Sequence, residues 1–201
     1  MCGRYYVNQG IIGGMEADFP EIRGALSQLC ADQFGNADIV PGMSVPVLYD
    51  SGGRTVCDLM SWGFPDSHEK GSLIINARSE TLDKKPMFRE ALQHHRCIAP
   101  AAGFYEWTKE KEQVRYTWEA APVIYLGAVF RMIQNVLRFV VITREANSSV
   151  RDVHGRMPLL FSRQDAFRWI EEGQNYSGLL DQKLPHLDEH RAGGPQQLSL
   201  L

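Results

Sequence analysis

The chain has no C-x-x-C pair. Its four cysteines, Cys2, Cys30, Cys57 and Cys97, are scattered, so neither a zinc site nor a disulfide framework is signalled and the reducing cytosol is the expected compartment. No apolar run approaches the ~20 residues of a membrane span, and the N-terminus lacks the charged-then-apolar pattern of an export signal. A chain that is not exported and has no membrane partner is expected. Phosphate-cradling glycine motifs are missing too: Gly10 to Gly14 is glycine-rich but has neither the G-x-x-x-x-G-K-[ST] pattern nor a preceding strand, and reads as a loop. A strong charge of either sign is also absent. The formal net charge of −3 over 201 residues argues against a general nucleic-acid coat, so any nucleic-acid site must be built from a few placed arginines. Nothing in the pattern asks for a metal or a cofactor.

What is present is an ordinary apolar and charged content, enough for one globular domain with a sizeable core. Val45 to Tyr49 and Arg54 to Trp62 read as a hairpin around Asp50-Ser51-Gly52-Gly53. A helix is predicted from about Pro20 to Cys30. A second spans Pro86 to His94, with proline at the first position, where its missing N–H is harmless. Strands are predicted at Arg96 to Ala99, Gly103 to Thr108, Arg115 to Trp118, Ile124 to Phe130 and Leu137 to Thr143, forming an antiparallel meander. Ser162 caps a late helix ending near Gly173. Strands returning by short turns, with helices inserted rather than alternating, indicate an α+β domain over residues 1–185, followed by a flexible tail over 186–201.

Chemistry concentrates in four places. Removal of Met1 would leave Cys2 with a free thiol and a free α-amine, with ordinary pKa values of ~8.5 and ~7.7–8.0, so that one residue carries two nucleophiles. An amine and a thiol on adjacent carbons turn an aldehyde first into an imine and then into a five-membered thiazolidine. A buried core cysteine is the other reading of Cys2. Asn76 and Arg78 follow the apolar Leu73 to Ile75 and alternate onto one face, where an amide could orient an amine and a guanidinium could grip a phosphate; a turn Asn and a surface Arg are the plainer reading of these residues alone. Glu106 sits in the aromatic segment Gly103 to Trp107, where desolvation would raise its pKa and poise it as an acid/base, unless it faces water or pairs with an arginine. His154 lies in a turn before Leu159 to Phe161. It can move protons near neutral pH or be an ordinary surface side chain, and Arg156 could hold that turn or a phosphate.

Taken in order, these segments resemble one family. MCGR at Met1 to Arg4, VPG at Val40 to Gly42, WG at Trp62-Gly63, NARSET at Asn76 to Thr81, KPMFR at Lys85 to Arg89, RCIAPAAGFYEW at Arg96 to Trp107, LGAVF at Leu126 to Phe130, ITREAN at Ile142 to Asn147 and HGRMPLLF at His154 to Phe161 are similar to motifs of the SOS response-associated peptidases. The resemblance implies an antiparallel, partly barrel-like sheet core flanked by helices. It also implies a DNA-damage role: covalent capture of abasic sites in single-stranded DNA, a substrate that brings the protein to replicating DNA and the nucleoid. By motif, Cys2 is the nucleophile, Asn76 orients its amine, and Glu106 and His154 transfer protons. Arg4 and Arg78 contact phosphates, while Pro41 and Trp62 pack against flanking bases or sugars. The chain departs from the family after Trp62-Gly63-Phe64-Pro65, running directly to Asp66-Ser67-His68 where a longer loop often carries another tryptophan. The family's name supplies a second reading, a cysteine peptidase or N-terminal nucleophile hydrolase that removes its own Met1. A third is non-covalent single-strand binding. None of them requires more than a monomer.

Overall fold

The computed structural model describes residues 2–29, 36–171 and 175–191. In chain order the strands are β1 (Tyr5–Val7), β2 (Ala37–Ile39), β3 (Ser44–Asp50), β4 (Thr55–Trp62), β5 (Phe64–Pro65), β6 (Leu73–Ile74), β7 (Asn76–Arg78), β8 (Arg96–Ala101), β9 (Gly103–Trp107), β10 (Gln113–Thr117), β11 (Ile124–Ile133), β12 (Val136–Glu145), β13 (Arg156–Pro158), β14 (Leu160–Phe161) and β15 (Asp188–Arg191). The α-helices are α1 (Gly10–Asp18), α2 (Arg23–Leu29), α3 (Pro86–His94), α4 (Arg163–Ile170) and α5 (Ser177–Leu180).

Five strands close on themselves in the order β12-β4-β3-β8-β11, because β11 pairs β12 as well as β8. The closure makes a small barrel and leaves none of these five as a free edge. The hairpin predicted around residues 50–53 is β3–β4, in register from Ser44↔Ser61 to Asp50↔Thr55. The β11–β12 hairpin turns at Gln134 and Asn135, both at positive φ, as a tight two-residue turn demands. Two pairings are parallel, β4 and β7 against the same side of β12, so the barrel is mixed rather than wholly antiparallel.

Beyond Ala128↔Val141 the hairpin strands part, and the segment Arg156–Phe161 lies between them, β13 on β12 and β14 on β11. This insertion needs a glycine at 127, since a Cβ there would stand 2.7 Å from the Phe161 ring. The consequence is functional: the wedge carries the His154 turn to the end of β12.

A second sheet, in the order β15-β10-β9-β1-β2, packs beside the barrel. Its alternation is regular: Tyr5, Val7, Phe104, Glu106, Val114 and Tyr116 face inward and are buried, whereas Tyr6, Tyr105, Trp107 and Arg115 face outward. The predicted meander is therefore divided. The strands β9 and β10 belong to this sheet, β8, β11 and β12 to the barrel, and the chain crosses between them at Ala102, whose N–H bonds Tyr6 O at 2.8 Å. Residues 188–191, within the expected tail, instead form β15, paired with β10 from Thr117↔Asp188 to Val114↔Arg191.

Helix α3 begins at Pro86 as predicted, and α4 is capped by Ser162, whose Oγ accepts the Asp165 N–H at 3.4 Å. The predicted Pro20–Cys30 helix is divided into a 3-10 turn, Pro20–Ile22, and α2; its end at Cys30, like Gly173, lies outside the described residues. Gly10 to Gly14 is helical rather than a loop, because Ile11 and Met15, one turn apart, bury one face of α1. Buried Arg96 joins the two main helices to the barrel. Its guanidinium donates to Leu92 O and Gln93 O of α3, and to Trp169 O and Glu171 O at the end of α4. Four C-terminal carbonyls that helices leave unpaired are thereby satisfied.

Candidate active site

Cys2 enters between the barrel and the inner face of the second sheet and is fully buried. Asn76, on β7, donates from Nδ2 to Cys2 O at 2.8 Å, a contact that spans 74 positions of sequence. Its Oδ1 is buried and accepts no hydrogen bond from the described residues. A carbonyl oxygen in that state is an acceptor prepared for an N–H, such as that of an α-amine. Parallel pairing of β7 with β12 places Asn76 beside Val141 and Arg78 beside Thr143, and leaves the Arg78 side chain exposed.

Glu106 faces inward from β9 and is 2% exposed. Burial pushes its carboxyl above the ordinary range, and the nearby His154 opposes that rise in part. The same burial, reinforced by the Glu106 charge, pushes the Cys2 thiol far up. The Glu106 carboxylate thus stands close enough to disfavour the Cys2 thiolate.

His154 is half-buried and its Nδ1 stands 3.9 Å from Glu106 Oε1. Its turn is pinned by the backbone, with His154 N–H on Val150 O at 2.9 Å and Ala146 N–H on Gly155 O at 3.1 Å. Nδ1 lies 3.0 Å from both the Arg156 amide nitrogen and the Arg156 carbonyl oxygen, so it accepts from the first or donates to the second according to its tautomer. The imidazole can therefore take up or give up a proton at Nδ1 without leaving its seat.

Arg156 holds this turn in place. Its guanidinium grips both oxygens of Glu80 at 2.6 and 2.9 Å and the Thr143 carbonyl at 2.6 Å. Of the two uses open to Arg156 in the sequence, holding the turn is the one occupied here, with Nε buried and unpaired among the described residues. The ion pair holds the Glu80 carboxyl below its ordinary range. Arg4 lies at the outer rim, its guanidinium 5.4 Å from the centre of the Trp107 ring and 3.5 Å from Asp38.

The two residues expected to pack against bases separate. Pro41, half-buried, leads a tight turn in which Gly42 takes φ +90 and Met43 N–H bonds Val40 O at 3.2 Å. Trp62 is fully buried. It stacks on Phe139 with ring centres 6.2 Å apart and donates from its indole to Ile75 O at 2.9 Å, so it is a core side chain supporting β7 rather than a surface on which a base could lie. Alternation along β4 put it inside.

Two residues went unremarked in the sequence. Thr143 is fully buried with Oγ1 unpaired among the described residues, next to Arg78 in register, and Glu80 anchors Arg156. A hydroxyl at the end of the apolar run Val140-Val141-Ile142 was the available signal for Thr143. Glu80 has no local signal, since its partner lies 76 residues away.

The model of the SOS response associated peptidase (SRAP) family matches residues 1–192. The chain is 27% identical over 186 residues to abasic site processing protein YedK of Escherichia coli, covering 86% of this chain and 80% of that one. It is 26% identical over 190 residues to abasic site processing protein YoqW of Bacillus subtilis, covering 85% and 80%. The fold is similar to that of a phage-related protein of Bordetella bronchiseptica, with a TM-score of 0.76 at 19% identity and coverage of 96% and 94%. A protein from Bacteroides thetaiotaomicron gives a TM-score of 0.75 at 16% identity, covering 94% and 91%.

Proposed function

Since the chain belongs to the SOS response associated peptidase family, we propose that it captures abasic sites in single-stranded DNA, forming a thiazolidine between Cys2 and the sugar aldehyde. One observation carries the reading: Cys2 is held by its own carbonyl, 2.8 Å from the Asn76 amide, beside a buried carboxyl and a histidine. A residue used only for its thiol gains nothing from a clamp on its main chain; one used for its α-amine does.

Hydrolysis of the Met1–Cys2 bond frees the amine. Its neutral form attacks C1′ of the open sugar, and Asn76 Oδ1 accepts an N–H to aim the lone pair. The carbinolamine loses its hydroxyl as water, the proton coming from Glu106, whose raised pKa keeps it an acid at higher pH than an exposed carboxyl. The thiol then adds to the iminium carbon. Its proton passes to the Glu106 carboxylate or His154, and a C–S bond closes the ring. One aldehyde, one amine and one thiol yield a thiazolidine and one water. Closure removes the iminium through which a strand would otherwise be cleaved by β-elimination.

A thiol pushed up by burial and a neighbouring carboxylate is a poor resting thiolate, which weighs against a cysteine peptidase acting on other chains. Removal of Met1 is an intramolecular step compatible with capture. To test the proposal, protein with Met1 removed, verified by intact mass, is mixed with a single-stranded oligonucleotide bearing one abasic site and run on a denaturing gel. A shifted band that survives denaturant and disappears in Cys2→Ala is expected. Retention that is lost in salt, and is equal in both proteins, would overturn covalent capture in favour of simple binding.

A further inference from the structure

The outer face of the second sheet carries chemistry that the capture reaction does not use. Register sets Tyr6 against Gly103, Arg115 against Tyr105, Gln113 against Trp107 and His190 against Arg115. The rings form a continuous row, with 6.4 Å between the centres of Trp107 and Tyr105 and 5.5 Å between Tyr105 and Tyr6. A guanidinium covers each end, Arg4 at 5.4 Å from Trp107 and Arg115 at 5.7 Å from Tyr6. The Tyr6 ring lies across Gly103, where a Cβ would stand 2.6 Å from it. A groove of about 310 Å³, lined by Tyr105, Gln113, Arg115, His190 and Arg191, opens beside the middle ring of the row.

The charges divide unevenly. Asp38 takes Arg4 and the Tyr105 hydroxyl, and Arg191 is taken by Glu189 and Glu112. Arg115 is exposed and forms no salt bridge among the described residues. A positive charge left over beside stacked rings suits an anionic strand with aromatic bases. An apolar peptide would find too little aliphatic surface here, and a duplex would hide the base faces that the rings could meet.

The face and the capture site share β9 and meet at the Arg4 rim. Strand β9 presents Glu106 inward and Tyr105 and Trp107 outward, and Arg4, two residues after the nucleophile, bridges to Trp107 at the rim. Trp62, being buried, offers no face to a nucleotide, whereas these rings stand at the surface.

We propose that the Trp107–Tyr105–Tyr6 row with Arg115 is a stacking platform for unpaired nucleotides flanking the abasic site on one side, an inference that rests on the capture reading above. The strand leaves the site past Arg4, lays successive bases on the rings, and places a phosphate against Arg115.

The test separates the platform from the reaction. A Cys2→Ser chain is titrated by fluorescence anisotropy with single-stranded oligonucleotides carrying an aldehyde-free tetrahydrofuran in place of the abasic sugar, each flank being lengthened one nucleotide at a time. Affinity rises with length on one flank only. The added Tyr6→Ala and Arg115→Ala changes abolish that rise, about tenfold for each lost stacking contact, and flatten the salt dependence by about one phosphate. Tyr6→Phe preserves the rise, and thermal melting verifies the fold of each variant. In the Cys2-bearing chain, the same double change leaves capture of the shortest abasic oligonucleotide unaltered. A length increment that persists in the double variant, or that survives when the flank is made duplex, overturns the platform. Failure to form any denaturant-stable product with the unaltered Cys2 overturns the capture reading instead, and the anisotropy increments stand on their own.

Discussion

Asn76 offers the sharpest test of how the site works. Its Nδ2 donates to Cys2 O at 2.8 Å, and in the proposed mechanism its Oδ1, unpaired among the described residues, would supply a second contact to the attacking amine. Asn76→Ala deletes both. Each neutral hydrogen bond is worth about 0.5–1.5 kcal/mol, so the combined loss of about 1–3 kcal/mol slows crosslinking roughly 5- to 150-fold. Only the first contact exists in the free protein. The cost to stability is therefore that of a single bond, roughly 1 kcal/mol or about 2–4 °C in melting temperature for a domain of this size. Rapid-quench time courses at saturating oligonucleotide, resolved on denaturing gels, read the rate, while anisotropy with a tetrahydrofuran oligonucleotide reads binding, which is expected to change less than about twofold because the amide touches no phosphate. Asn76→Asp keeps an oxygen in place of Oδ1 but sets a carboxylate against the Cys2 carbonyl, and is at least as slow as alanine. A capture rate within twofold of the parent in Asn76→Ala, or a loss that lies wholly in binding, would refute the positioning argument.

Glu106→Gln removes the acid, slowing capture by about 10²–10⁴-fold and abolishing the limb of the pH–rate profile that falls as pH rises through the raised Glu106 pKa. A carboxyl whose native pKa exceeds its unfolded value stabilises the fold in acid and loses that contribution as pH rises through the native pKa. The glutamine variant is therefore more stable than the parent at neutral pH, by a margin that shrinks in acid, as denaturant melts across pH would show. Arg96→Met leaves two buried and two part-buried carbonyls without their donor and costs about 2–5 kcal/mol in urea unfolding, with Arg96→Lys intermediate because an ammonium cannot span both helix ends. Glu80→Gln releases the grip on Arg156 and slows capture by loosening the His154 turn. Because Glu80 is half exposed, the stability change is below about 1 kcal/mol, and it vanishes as pH falls through the lowered Glu80 pKa.

Much of this was legible in the chain. The 50–53 hairpin, α3 and the cap of α4 were readable because each is specified by neighbours a few residues apart: glycines in a turn, a proline at a helix start, a serine three residues before an aspartate. Helix α1 was misread because its glycines outweighed two apolar residues one turn apart, and only the core beneath Ile11 and Met15 gives that helix its stability. The meander was misjoined because alternation reports which face of a strand is buried, not which sheet it enters.

By itself the sequence determined the reagents. Cys2 directly after Met1, an asparagine and an arginine at a strand end, one carboxyl among aromatics and a histidine in a turn are properties of residue type and order. Tertiary structure decided their use. It buried Glu106 and so raised its pKa, hid Trp62, turned Arg156 onto Glu80, and exposed the ring row on the far side of the strand that carries the acid. Each of those outcomes depends on partners brought together from distant parts of the chain, because desolvation and pairing are set by everything that surrounds a group in three dimensions, and the order of residues along one strand says only which of its two faces that group will share.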